Sequence, residues 1–125
     1  MPPLLLVMLG GAFGAGFRYH ISRVALMQLG PAFPWGTWLV NLLGGFLMGV
    51  LAGTLARFSE GGESLRLFLG VGVLGGFTTF SAFSLESYNM LARGDWAIAA
   101  AYAVSSVTGS IVALILGLAL VRMVS

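Results

Sequence analysis

Few side chains in this sequence could do chemistry, and many of them crowd into one stretch, GGFTTFSAFSLE, from Gly75 to Glu86. Two adjacent glycines open it, hydroxyls follow at Thr78, Thr79, Ser81 and Ser84, and a carboxylate closes it. At helical spacing Phe80 and Phe83 share a face, with Ser84 and Ser87 adjoining. A phenyl ring has a positive edge, which can face an anion without gripping it. Asn41, Tyr102 and Ser106 stand in other apolar runs, and Thr37 lies one turn before Asn41. No paired nucleophile and base is evident, so the chain is not expected to be an enzyme. Cysteine is absent, which excludes disulfides and thiolate chemistry. His20 lacks a second His or acid at ligand spacing and reads as a solvated interfacial side chain rather than a metal ligand. What remains are weak donors, ring edges and backbone.

Helices in a membrane must position those groups. Of 125 residues, 58% are hydrophobic and 8% charged, with a mean hydropathy of +1.00, far outside an ordinary soluble domain. A spanning helix needs roughly 20 apolar residues. Four such runs are present, at about residues 4–28, 36–56, 65–91 and 96–121. Gly30, Pro31 and Pro34 punctuate the first junction, Arg57 to Arg66 with Gly61 and Gly62 the second, and Arg93, Gly94 and Asp95 the third. The expected fold is an all-α membrane protein, one four-helix transmembrane domain over residues 1–125. The opening Met-Pro-Pro-Leu has no basic segment and no cleavage pattern follows, so the first run is expected to be a permanent helix. The pI near 9.7 does not imply nucleic acid, because the six arginines are spread singly and form no basic patch.

In helix two, Thr37, Asn41, Gly45, Gly49 and Gly53 recur every four residues, a small-xxx-small face that lets another helix approach closely. Asn41 needs partners at membrane depth, since an unpaired amide there costs several kcal/mol. It either bonds across helices or faces a polar path. Helix four repeats the theme with Tyr102, Ser106, Gly109 or Ser110, Ala113 and Gly117, its serines expected to bond their own backbone. Tyr102, near Trp96, has the placing of an interfacial anchor. Helix one carries Gly10, Gly11, Gly14 and Gly16 before Arg18, again a close-packing stretch.

In helix three, Gly75 and Gly76 each weaken a helix by roughly 1 kcal/mol relative to Ala, and Thr78 and Thr79 compete for backbone bonds. Two outcomes fit: a glycine-assisted crossing in an intact helix, or a break whose freed carbonyls are ready ligands for a cation such as Na⁺. Glu86 is the one acid deep enough to count as intramembrane, a functional position by default unless it snorkels to the interface.

With four spans, Arg57, Arg66 and Arg122 fall on one side of the membrane and Arg18, Arg23 and Arg93 on the other. An excess of Lys and Arg normally fixes the cytoplasmic side, and this tie leaves direction open. Either an uncounted feature orients the chain, or copies insert both ways up and pair as an antiparallel two-fold dimer.

Three motifs run in order along essentially the whole chain: GGAFGAGFRY at Gly10 to Tyr19, PWGTWLVNLLGGFLMG at Pro34 to Gly49, and GGFTTFSAFSLE. Together they resemble the fluoride channel family of microorganisms, called Fluc or CrcB. The resemblance implies a cell-membrane, antiparallel, dual-topology homodimer with two pores, its third helix broken near the middle. It also implies a structural Na⁺ at the dimer interface, held by backbone carbonyls at Gly75 and Thr78. Phe80, Phe83 and Asn41 match pore-lining positions, Thr37, Tyr102, Ser106 and Glu86 match polar positions along or near the path, and Arg18 matches an arginine near the vestibule. The implied activity is passive, potential-driven export of F⁻, which lowers intracellular fluoride and its toxicity. Ala82 departs from the pattern, since relatives often carry Thr or Ser there.

Two other classes compete with this expectation. A proton-coupled small multidrug exporter, also a four-helix dual-topology dimer, needs a membrane-embedded carboxylate, typically in helix one, where this chain has none. A non-transporting assembly subunit would use its polar residues only as packing glue.

Overall fold

The computed structural model describes residues 1–57 and 62–124. The expected turn from Arg57 to Arg66 therefore lies partly outside the described residues. Among the described residues four helices are long and apolar enough to cross a membrane: helix one, Pro3–Leu29; helix two, Trp35–Leu55; helix three, Gly62–Ala92; and helix four, Trp96–Met123. At 1.5 Å per residue the 27 residues of helix one reach about 40 Å, more than a hydrocarbon core of about 30 Å requires.

Local chemistry sets the ends. Proline begins helix one, where its missing N–H costs nothing and its φ is already helical. Gly30 ends it at φ 82°, a left-handed value that a side chain would resist, while its N–H still bonds the Leu26 carbonyl. Gly94 does the same at φ 85° between helices three and four. At the far end of helix four the Arg57 guanidinium donates to the Val121 carbonyl at 2.6 Å, which places a cation on the negative end of that helix.

The helices pack mainly as two pairs. Helix two lies against helix four, where Gly45 and Gly49 meet the backbone of Ser110 and Leu114; a Cβ on Gly45 would stand 2.6 Å from the Ser110 carbonyl oxygen. Helix one lies against the first half of helix three, with Gly10 and Gly14 meeting the backbone of Phe68, Gly72 and Val73. The expected glycine seams are therefore real contacts, since small residues let backbones touch where lipid offers no hydrophobic drive. Gly16 is the exception, with open space beside it.

Helix three is not one regular helix. A short α-helix, Gly62–Leu65, leads into a π-helical stretch at Arg66–Leu74, and Gly75–Phe77 is α-helical again. The chain then opens, with Thr78 at φ −81°, ψ 157° and Thr79 at φ −147°, ψ 123°, before Phe80–Ala92 resumes the helix. The interruption falls on the two threonines, and the adjacent Gly75 and Gly76 stay helical. Gly76 is needed for a different reason: a Cβ there would meet the Gly11 carbonyl oxygen of helix one at 2.6 Å.

Candidate functional site

Hydrogen bonding explains why helix three opens at the threonines. An unbroken helix would send the Thr79 N–H to the Gly75 carbonyl. Instead that N–H donates to Asn41 Oδ1 at 2.9 Å, and Asn41 Nδ2 donates back to the Thr79 carbonyl at 3.1 Å. Likewise the Ala82 N–H, due in a helix to the Thr78 carbonyl, donates to Thr79 Oγ1 at 3.2 Å, so Thr79 caps the second half of the helix. The Thr78 N–H and hydroxyl both donate to the Leu74 carbonyl. Arg18, half-buried on helix one, donates from Nε to the Gly76 carbonyl at 3.1 Å. Buried backbone groups need partners, and here the side chains of Arg18, Asn41 and Thr79 supply them. The Gly75 and Thr78 carbonyls are left without their helical donors.

The expected polar residues border two grooves. One, of about 480 Å³, is lined by Asn41, Gly75, Thr78, Phe80, Phe83 and Ser106, among others. The other, of about 350 Å³, has Thr37, Glu86, Asn89 and Arg93 in its wall. Tyr102 joins the two, its hydroxyl donating to Glu86 Oε1 at 3.2 Å and its ring packing on Phe83 with centroids 5.0 Å apart. Phe83 in turn lies 5.6 Å from Phe80. A continuous line thus runs from Glu86 through Tyr102 and Phe83 to Phe80.

Individual placements refine the expectations. Tyr102 is fully buried against Phe33 and Phe83 and is no interfacial anchor. Asn41 bonds across helices, and its residue also borders the larger groove. Phe80 is 77% exposed on the isolated chain. Ser106 is 5% exposed, and its hydroxyl has no hydrogen-bond partner among the described residues, contrary to the backbone bond expected of a helix serine. Ser87 shares that condition but lines neither groove. Ala82 contributes its backbone N–H to the cap, which any residue but proline could do. Sequence reasoning passed over Thr79 as a site residue and Ser110, whose hydroxyl donates to the Asn41 carbonyl at 3.3 Å. A threonine directly before an apolar helical run is a capping signal that could have marked Thr79.

Fold and site together define a multi-pass helical membrane protein with weak donors and aromatic rings aligned along its length. The chain belongs to the CrcB family: residues 5–118 match the family model described as CrcB-like protein, Camphor Resistance (CrcB). Among its relatives is a protein of Novosphingobium aromaticivorans, 57% identical over 118 residues and 93% of each chain. Another, from Phenylobacterium zucineum, is 54% identical over 125 residues, covering 99% of this chain and 98% of its own. A third, from Sphingopyxis alaskensis, is 49% identical over 122 residues, 98% and 97% of the two chains. Each of the three is named fluoride-specific ion channel FluC. This chain is accordingly a multi-pass protein of the cell membrane.

Proposed function

We propose that the chain forms a fluoride channel, working as an antiparallel dual-topology homodimer that lets F⁻ leave the cytoplasm passively. Ser106 is the observation that carries this reading beyond the family. A buried hydroxyl with no partner costs about 1–3 kcal/mol, and Ser106 lines the same groove as Phe80 and Phe83. A passing dehydrated anion supplies the missing acceptor. Fluoride is small and strongly hydrated, so its water must be replaced by donors. Ser106, the second Nδ2 hydrogen of Asn41 and the positive ring edges of Phe80 and Phe83 offer this without a fixed cation that would trap the ion. A membrane potential contributes about 2.3 kcal/mol per 100 mV to efflux of a monovalent anion.

The Gly75 and Thr78 carbonyls fit a structural Na⁺. Both have lost their helical donors, and hard oxygen donors suit a hard cation. Paired with the same carbonyls of a second copy, they would make the interface site. When bound, the ion supplies a fixed positive charge to the centre of the dimer.

Purified protein in liposomes decides the channel reading. With a K⁺ ionophore clamping the voltage, a fluoride electrode should record fast F⁻ efflux and little Cl⁻ should leave. Absence of F⁻ release overturns the proposal. A proton-coupled exporter would instead lose all transport in Glu86→Gln and show a proton-dependent signal.

A further inference from the structure

The hydrogen bonds at the break assign Asn41 and Thr79 a task separate from touching fluoride. We propose that their side chains are positioning residues for the cation site: Asn41 keeps the Gly75 carbonyl free, and Thr79 keeps the Thr78 carbonyl free. This rests on the Na⁺ reading above and deepens it. A carbonyl can bind a cation strongly only if no N–H competes for it, and within a continuous helix the competitor is the N–H four residues on. Here each competitor has been drawn off by a side chain. Asn41 Oδ1 holds the Thr79 N–H at 2.9 Å, and Thr79 Oγ1 holds the Ala82 N–H at 3.2 Å.

The second bond of Asn41, from Nδ2 to the Thr79 carbonyl, makes the grip two-pointed, so the Thr79 peptide cannot turn back toward the helix axis. Ser110 fixes the clamp from below by donating to the Asn41 backbone carbonyl. Close packing then holds helix two at the right distance. A Cβ on Gly44, one turn from Asn41 toward the break, would collide with the Thr78 methyl, so only glycine admits this approach. The polar clamp and the glycine thus act on the same two threonines.

Losing either side chain returns an N–H to its carbonyl, and the cation must then displace a hydrogen bond of about 0.5–1.5 kcal/mol. That corresponds to a loss of up to roughly tenfold in Na⁺ affinity. The test is thermal unfolding of the purified dimer in detergent over a Na⁺ titration, with K⁺ or N-methylglucamine holding ionic strength constant. Asn41→Leu and Thr79→Val keep volume and remove the bonds. Each should weaken half-saturation by Na⁺ several-fold, whereas Thr108→Ala, on an exposed face of helix four, should match the parent. A merely structural defect lowers the melting temperature equally with and without Na⁺. Unchanged Na⁺ half-saturation in either folded variant overturns the assignment. If Asn41→Leu does not fold, Thr79→Val alone decides. A parent protein with no Na⁺ response overturns the cation reading itself, while F⁻ efflux tests the channel separately.

Discussion

At the scale of single residues, Ser106 and the phenylalanine pair separate transport from folding. Ser106→Ala removes a buried hydroxyl that bonds nothing in the described chain, so stability should hold or rise by up to about 1 kcal/mol. Flux should fall several-fold all the same if, as proposed, the hydroxyl's partner is the moving ion. Liposome efflux and thermal unfolding, measured together, check both halves; lower stability with unchanged flux would make Ser106 an ordinary packing residue. Phe80→Ile and Phe83→Ile keep apolar bulk but lose the ring edge. Each should slow F⁻ efflux by about tenfold, the effect of roughly 1.4 kcal/mol on a barrier, while elution on size-exclusion chromatography stays that of the parent. Equal rates in both variants would remove the rings from the mechanism. Glu86 is less free than an isolated acid, because the Tyr102 hydroxyl already donates to it.

Between residue and molecule, the helices show which expectations hydropathy and spacing can carry. The glycine period in helix two was visible along the chain, and it does face helix four. Gly49→Val should therefore break the pair, since its Cβ would collide with the Leu114 carbonyl oxygen, and overpacking of this kind costs about 1–3 kcal/mol or more. Loss of monodisperse protein in detergent is the expected readout. Gly16→Ala has open space and should be neutral or stabilising by up to about 1 kcal/mol, from helix propensity alone. The break is legible in the sequence as a weak place between Gly75 and Thr79, but the side chain that opens it is not. Both the glycine pair and the threonine pair mark it in the sequence; it falls on Thr78 and Thr79 while Gly75 and Gly76 stay helical, because a glycine merely permits a break. What creates one is a better offer to the backbone, and that offer comes from Asn41, 38 residues away. The π-helical stretch at Arg66–Leu74 had no signal in the hydrophobic pattern.

For the whole molecule, one chain leaves the larger groove open, and both Phe80 and Gly75 are exposed along it. A second copy of opposite orientation would cover that side; with Arg18 drawn into the helix bundle on the Gly76 carbonyl, the remaining arginines divide three to two, a bias too small to fix one orientation. A single cysteine replacing Val124, in cells, should be labelled to about half by an impermeant reagent and completely after permeabilisation. Labelling wholly from one side would end the dual-topology proposal. Membrane class, four spans, glycine seams and family are all legible along the chain, since hydropathy, small-residue spacing and motif order are properties of residues read in line. Helix packing is what brings Asn41 to the Thr79 backbone, sets the Tyr102 hydroxyl on Glu86 and leaves Ser106 without a hydrogen-bond partner among the described residues. Each of those depends on which donor meets which acceptor across packed helices, and the meeting is fixed only when the helices dock.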